Sequence, residues 1–197
     1  MDCGYLALGD SYTIGEGVSP SERWPVQLVA RLRAEGIAVE DPAIIATTGW
    51  TTDELAAGLR AAAPVGPFGL VTLLIGVNDQ YRGRQVDQYA LEFSRVLARA
   101  QFLAGGEGRR VVVLSIPDWG VTPFAADRDR AAIARAIDEF NAVAEQEVRR
   151  VGALWVDITD LSRARRADWE TTDGLHPSGL QYGAWVERLV PVVRVLL

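Results

Sequence analysis

The stretch that decides the fold is Leu6-Ala7-Leu8-Gly9-Asp10-Ser11-Tyr12-Thr13. It begins with apolar residues, as a buried strand does, turns at Gly9, and then presents Asp10 and Ser11. In an open sheet of parallel strands, ligands bind just beyond the carboxyl ends of the strands. Ser11 therefore stands where a functional side chain is expected, and the question is which groups elsewhere in the chain could act with it.

Strand-like and helix-like segments alternate along the whole chain. The predicted strands are short and apolar, and they cover residues 5–8, 39–46, 70–75, 111–116 and 154–156. The predicted helices cover residues 24–35, 51 or 52 to 62, 86–103, 127 or 129 to 151, and 178–196. This alternation predicts a parallel sheet covered by helices on both faces. We expect a single three-layer α/β domain over residues 1–197, with a flavodoxin-like five-stranded sheet in the order 2-1-3-4-5.

The composition limits the class of protein. A formal net charge of -6 argues against a nucleic-acid partner, because phosphate binding requires a basic face. The single cysteine, Cys3, cannot form a disulfide within the chain. No apolar run is long enough to span a bilayer, and the first strand begins without a leader-like segment before it. We therefore expect a cytoplasmic protein with no membrane span, unless a leader has been removed, and the oligomeric state stays open.

A possible nucleophile, base and acid can be picked out. A serine hydroxyl is a weak nucleophile unless a base removes its proton and a carboxylate orients that base. The chain contains one histidine, His176, so an imidazole base can only be this residue. Asp173 stands three residues earlier, and a tight loop or one helical turn could bring it to the imidazole. Each residue alone is more often a turn or surface residue, but together they predict catalysis by Ser11, His176 and Asp173.

Three loops offer donors for an oxyanion, which needs hydrogen bonds aimed at the developing charge. The backbone N–H of Ser11 is one candidate, since it lies at a strand-to-helix turn. Gly49 follows the second strand, and a glycine lets the backbone approach a ligand closely. Asn78 follows the third strand and offers its side-chain amide. Without the serine, Gly49 would more simply be a turn residue with positive φ, and Asn78 a loop or helix-cap residue.

Large apolar side chains follow the same strand ends. The loop after the fourth strand contains Trp119 and Phe124, while Trp50 follows Gly49 and Tyr81 follows Asn78 in the chain. We expect these four aromatic residues to line a substrate site suited to an acyl chain or a small aromatic ester. Any one of them alone is more often a core residue.

Four stretches resemble signature blocks of the GDSL esterases and lipases in the SGNH hydrolase superfamily. They are Gly9-Asp10-Ser11-Tyr12, Thr48-Gly49-Trp50-Thr51, Gly76-Val77-Asn78-Asp79 and Asp173-Gly174-Leu175-His176-Pro177. They appear in the family's order and span nearly the whole chain, which makes the resemblance specific. Tyr12 departs from the leucine of the family's name, at a position that varies in such enzymes.

The resemblance implies a serine ester hydrolase acting on a small-molecule ester of a small or medium acyl group. Ser11 would be the nucleophile, His176 the base and Asp173 its orienting acid. Gly49 and Asn78 would complete an oxyanion hole with the Ser11 N–H. We expect no metal and no cofactor. Lysophospholipids, thioesters and acetylated carbohydrates stay open as substrates, because the same machinery would serve them.

Two other classes of protein remain as alternatives. Asp10, Asp79 and Asp118 all follow strands, and strand-end carboxylates could hold Mg²⁺ in a metal-dependent phosphoesterase. They are also typical of turns, and Asp10 would then brace the turn at Ser11 by accepting backbone hydrogen bonds. The second alternative is a non-catalytic flavodoxin-like binding module that uses the same loops to hold a ligand.

Overall fold

The computed structural model describes residues 3–164, 166 and 168–197. Five strands pair in parallel to form one sheet in the order β2-β1-β3-β4-β5. Their bounds are β1 Tyr5–Gly9, β2 Ala43–Ala46, β3 Leu70–Leu74, β4 Val111–Leu114 and β5 Leu154–Val156. The predicted flavodoxin-like order 2-1-3-4-5 is confirmed.

Strand β1 lies inside the sheet, and all five of its residues are buried. It pairs with β2 on one side and with β3 on the other, so that Gly9 at its end lies opposite Ala46 and Leu74. The carboxyl ends of these three strands therefore meet at one edge of the sheet. The loops that follow them leave from neighbouring positions.

Helices cover both faces of the sheet. Within the described ranges the α-helices are α1 Ser11–Ile14, α2 Trp24–Ala34, α3 Thr52–Ala62, α4 Val77–Tyr81, α5 Val86–Leu103, α6 Arg130–Arg150, α7 Thr159–Ala164 and α8 Gly179–Val193. Helix α2 packs against α8, while α5 packs between α3 and α6. Trp24 on α2 and Trp185 on α8 are fully buried. None of these helices is long and apolar enough to cross a membrane.

Polar side chains fix where three helices begin. Thr51 and Glu54 form a capping box at the start of α3, in which the Thr51 N–H donates to Glu54 Oε2 at 2.9 Å. Asp129 accepts a hydrogen bond from the Ala132 N–H at 2.9 Å, so α6 starts after Asp129. Ser178 caps α8 as predicted.

The fourth strand and the last helix end two and three residues earlier than predicted, and two larger differences have a physical reason. The second strand covers Ala43–Ala46 rather than residues 39–46, because Pro42 has no N–H to donate. Before it, Val39 forms only an isolated bridge to Cys3. The short helices α1, α4 and α7 are absent from the predicted set, because helices of 4 to 6 residues are too short to display helical periodicity.

The end of β1 requires glycine because neighbouring atoms approach it closely. A Cβ atom at Gly9 would lie 2.2 Å from Thr13 Oγ1 and 2.5 Å from the Leu74 carbonyl oxygen. The Leu74 oxygen belongs to β3, so the contact could be relieved only by moving the sheet backbone. Gly9 thus allows α1 to start directly at the end of β1.

We predict that Gly9→Ala lowers the free energy of unfolding by about 1–3 kcal/mol, the usual cost of forcing a methyl group into a packed interior. Urea denaturation followed by tryptophan fluorescence measures the loss. Gly4→Ala is the matched control, because the nearest atom to a Cβ there lies at 3.5 Å, an ordinary contact. Equal stability of the two variants would contradict the close-contact explanation.

Candidate active site

Ser11 is the first residue of α1 and is separated from β1 by Asp10 alone. Asp10 caps this one-turn helix, since its Oδ1 accepts a hydrogen bond from the Tyr12 N–H at 3.0 Å. Gly15 ends the helix in the left-handed conformation, with φ of 74°. Ser11 is 5% exposed, and it borders a surface cavity. The capped turn thus fixes the backbone at Ser11, while one side of the residue faces the cavity.

His176 and Asp173 lie in the loop before α8 and contact each other directly. His176 Nδ1 lies 2.6 Å from Asp173 Oδ2. Asp173 Oδ1 accepts hydrogen bonds from the N–H groups of Leu175 and His176, at 2.8 and 3.0 Å, and from the Thr171 hydroxyl at 2.8 Å. Burial raises the pKa of Asp173, but these hydrogen bonds outweigh burial and lower the pKa to about 2. The carboxylate is therefore charged at neutral pH and held in place.

The serine turn and the histidine loop pack against each other although they lie near opposite ends of the sequence. The Tyr12 ring contacts the His176 imidazole edge-on, with centroids 5.9 Å apart, and also the Trp185 ring at 6.2 Å. A Cβ at Gly17 would lie 2.9 Å from Thr171 Oγ1, which shows how closely the two segments approach. Tyr12, the residue that departs from the family's motif, is thus part of the packing that places the histidine.

Gly49 lies in a tight turn. Two side chains from the segment after β3 stabilise this turn by hydrogen bonds. The Trp50 N–H donates to the Thr47 carbonyl at 3.2 Å, and Gly49 has φ of 83°, which suits glycine. Asn78 Nδ2 donates to the Trp50 carbonyl at 2.9 Å, and Arg82 Nη2 donates to the Gly49 carbonyl at 2.6 Å. An amide nitrogen carries two hydrogens, so Asn78 keeps a second N–H for a ligand.

One cavity of about 220 Å³ brings the predicted residues together. Ser11, Gly49, Asn78 and His176 all line it. Asp173 is linked to it through its contact with His176. The remaining lining residues are mostly apolar or aromatic and are Tyr12, Thr48, Val77, Tyr81, Trp119, Phe124 and Leu175.

Three aromatic residues, Tyr81, Trp119 and Phe124, form one wall of this cavity. The ring centroid of Trp119 lies 5.3 Å from that of Tyr81 and 6.1 Å from that of Phe124. Trp119 is nearly buried, and its Nε1 donates to Gln80 Oε1 at 2.8 Å. Tyr81 and Phe124 are 47% and 42% exposed. The wall therefore has a fixed inner part and an outer rim that is open to solvent.

Trp50, also expected in the substrate site, is not among the lining residues. Its indole lies against α3, where a Cβ on Gly58 would come within 2.2 Å of Trp50 Cη2. Sequence reasoning missed Arg82 as a residue of the site. The available signal was its position one helical turn after Asn78, which places both side chains on the same side of α4.

The three strand-end carboxylates considered as magnesium ligands are bonded to protein groups. Asp79 Oδ2 accepts from the Thr52 N–H and hydroxyl, both at 3.0 Å. Asp118 Oδ2 accepts from Arg163 Nε at 2.8 Å. Asp10 caps α1, and none of the three carboxylates is among the described residues that line the cavity. These contacts argue against a metal-dependent phosphoesterase.

A second group of carboxylates, Asp53, Asp79 and Glu92, is close enough together to hold a cation, with ligand atoms within 4.8 Å of one another. Arg84 already supplies that cation. Its Nη1 lies 2.7 Å from Asp53, 3.2 Å from Asp79 and 2.9 Å from Glu92. The group is therefore an ion-pair network that fixes α3, α4 and α5 relative to one another.

Comparison with known families decides the relationship of this chain. The family model described as the GDSL-like lipase/acylhydrolase family matches residues 7–184. The chain belongs to this family. The match includes Ser11, Gly49, Asn78, Asp173 and His176, so every polar residue discussed above lies inside the GDSL-family region. No curated protein matches the sequence.

Solved structures show the same fold as this GDSL-family chain. TesA superposes with a TM-score of 0.77 at 22% identity, covering 98% of this chain and 99% of its own. The psychrotrophic esterase EstA from Pseudoalteromonas sp. gives 0.71 at 19% identity, covering 98% of both chains. Phospholipase A1 from Streptomyces albidoflavus NA297 gives 0.68 at 20% identity, covering 100% of both. The predicted relationship to SGNH hydrolases is confirmed.

Asp10 in this GDSL-family chain is a buried carboxyl with an incomplete set of partners. It is fully buried, and its Oδ2 has no hydrogen-bond partner among the described residues. Burial raises the pKa of Asp10 to about 8, aided by the charge of Asp79 and opposed by the hydrogen bond from Tyr12. The pKa of this carboxyl is higher in the folded state than in the unfolded state, where it is about 4. The folded protein therefore loses stability as the pH rises from the unfolded pKa towards the folded pKa.

We predict that Asp10→Asn stabilises the protein increasingly between pH 5 and pH 8, because asparagine keeps the cap but cannot ionise. One pKa unit corresponds to about 1.4 kcal/mol, so the gain at pH 8 should exceed about 1 kcal/mol. Urea denaturation at several pH values measures it, with the exposed Asp127→Asn as the control. A gain that does not change with pH would contradict the ionisation argument.

Proposed function

We propose that this protein is a serine ester hydrolase that cleaves carboxylic esters through an acyl-enzyme at Ser11. The observation that carries the proposal is the 2.6 Å contact of His176 Nδ1 with Asp173, beside a cavity that His176 and Ser11 both line. Family membership supports a hydrolase of the esterase and lipase type. A binding module would have no need of an imidazole fixed in this way.

His176 acts as the base in this proposal. Its Nδ1 faces the Asp173 carboxylate, which leaves Nε2 to take the proton from Ser11 Oγ as that oxygen attacks the ester carbonyl carbon. The tetrahedral intermediate collapses when the alcohol leaves with the proton from His176. Water then attacks the acyl-enzyme, gives its proton to His176, and releases the carboxylic acid and free Ser11. Asp173 keeps its negative charge throughout and stabilises the imidazolium.

The tetrahedral oxyanion is stabilised by the N–H groups of Ser11 and Gly49 and by the free N–H of Asn78. All three residues line the cavity, and they come from the loops after β1, β2 and β3. Loss of one such donor typically lowers kcat by about a hundredfold or more. The donors are preorganised because the Gly49 turn is already bonded to Asn78 and Arg82.

The substrate is an ester with a small or medium acyl group. A cavity of about 220 Å³ bordered by Tyr81, Trp119 and Phe124 favours a compact apolar group over a long chain. The wall has exposed outer rings, so a longer acyl group could extend along the rim. A series of acyl chain lengths therefore separates a short-chain esterase from a lipid acylhydrolase.

We predict that the wild-type protein hydrolyses p-nitrophenyl esters, fastest with short or medium acyl chains. Ser11→Ala should abolish this activity, because Ser11 is the nucleophile that His176 activates in the proposed mechanism. The release of p-nitrophenolate measures the rates. Ser94→Ala is the matched control, since Ser94 lies on α5 outside the cavity and its hydroxyl donates to the Leu91 carbonyl of the same helix. A fluorophosphonate should label wild-type protein on Ser11 and leave Ser11→Ala unlabelled.

Full hydrolysis by a folded Ser11→Ala protein would refute the mechanism. Absence of both hydrolysis and labelling in the wild type would favour the binding module. Activity that is lost on addition of EDTA and is independent of Ser11 would favour the phosphoesterase.

We predict that Arg82→Ala lowers kcat by about tenfold with little change in KM, because the Gly49 turn loses the bond that holds its carbonyl. Such a loss corresponds to about 1.4 kcal/mol, just below the range of about 1.5–3 kcal/mol for a hydrogen bond to a charged group, as suits a half-exposed arginine. Steady-state kinetics measures both constants, and the exposed Arg135→Ala is the control. Arg82→Lys should recover part of kcat, and an unchanged kcat in Arg82→Ala would remove Arg82 from the site.

A further inference from the structure

A second cavity lies between α3 and α5 and shares no lining residue with the active-site cavity. Its volume is about 330 Å³. It is lined by four residues from each helix, which are Asp53, Ala56, Leu59 and Arg60 from α3 and Glu92, Arg95, Val96 and Arg99 from α5. We refer to it as the α3–α5 groove.

Three arginines line the α3–α5 groove without a carboxylate partner. The guanidinium groups of Arg60, Arg95 and Arg99 are exposed and form no hydrogen bond or ion pair with any described residue. Arg99 only stacks over the Phe102 ring, at 4.9 Å. Arg95 and Arg99 are four residues apart on one helix face, a spacing at which like charges destabilise a helix. The neighbouring helix adds a third positive charge to the same groove.

The two acidic residues of the groove do not neutralise these arginines. Asp53 and Glu92 both bind Arg84, at 2.7 and 2.9 Å. The hydrogen bond from Arg84 lowers the pKa of Asp53 to about 2, so Asp53 is ionised and oriented towards Arg84. Glu92 uses its other oxygen to accept from Gln88 at 3.1 Å. Together with Arg84 and Asp79, the groove has four guanidinium groups and three carboxylates, so its formal net charge is positive by one, in a protein whose net charge is -6.

The floor of the groove is apolar. Leu59 and Val96 close the floor but are only 2% and 1% exposed, so the accessible apolar surface comes from the half-buried Ala56 and from the methylene stems of the arginines. A ligand that fits here needs an anionic group for the guanidiniums and a hydrocarbon part for the floor. Arginine forks match the oxygens of carboxylates and phosphates, often with two hydrogen bonds each.

We propose that the α3–α5 groove binds an amphiphilic organic anion, with its carboxylate or phosphate held by Arg60, Arg95 and Arg99 and its hydrocarbon part on Ala56 and the methylene stems of the arginines. The anion relieves the repulsion among three cations, and the hydrocarbon covers apolar surface. This site is separate from the proposed ester hydrolysis, because none of its residues lines the Ser11 cavity.

Isothermal titration with octyl phosphate and with octanoate, below their micelle concentrations, tests the proposal. We expect both to bind the wild-type protein, and the tighter of the two identifies the preferred head group. Arg95→Ala/Arg99→Ala should weaken binding at least tenfold. Arg109→Ala/Arg135→Ala, which removes the same charge from exposed positions outside the groove, should bind as the wild type does.

The comparison keeps the Ser11 cavity intact in every variant, so the difference between the two double variants reports the groove alone. Circular dichroism establishes that each variant is folded. Wild-type affinity in Arg95→Ala/Arg99→Ala would overturn the proposal, as would equally tight binding of uncharged octyl glucoside. Lack of binding to the wild type at millimolar concentration would overturn it too. A serine that proved inactive would leave this test unaffected.

Discussion

The parallel pairing of β1 with β2 and β3 is the constraint on which the site depends. It brings three strand ends to one edge of the sheet. The segments that follow these strands therefore place Ser11, Gly49 and Asn78 around one cavity. Gly9 makes the arrangement possible, because any side chain there would collide with the end of β3. A shift of one residue in the register of β1 would move Ser11 away from the other two loops. The backbone pairing of the strands therefore determines where these three residues lie relative to one another.

The polar residues of the candidate site could be predicted from the sequence because each one is marked by a local sequence feature. Ser11 follows a strand and a required glycine, Asn78 follows an apolar strand, and His176 has no competitor in the chain. Asp173 could be paired with it because three residues separate them. These features are local, and the sheet order needed only the alternation of strands and helices. The aromatic residues Tyr81, Trp119 and Phe124 also reach the cavity, because their loops start at the same edge.

What the sequence could not reveal depends on backbone direction. Trp50 adjoins Gly49, but the turn with positive φ sends its indole onto α3 instead of into the cavity. The spacing of one helical turn places Arg82 beside Asn78, but it does not predict that Arg82 donates to the Gly49 carbonyl, 33 positions away in another loop. Asp10 illustrates a different limit, since its burial and unpaired oxygen follow from tertiary packing. Burying such a carboxyl costs free energy, but Asp10 also caps α1, the helix that begins with Ser11.

The contact between Tyr12 and His176 joins the two ends of the matched region. During synthesis, Ser11 is added to the chain 165 positions before His176. At about 5–20 residues per second, roughly ten to thirty seconds separate the two residues. Over that interval the growing chain has its serine but lacks the imidazole that would activate it. A long-range contact of this kind is also slow to form, because the intervening chain must be ordered first. The order of translation thus delays the proposed chemistry until His176 has been added to the chain.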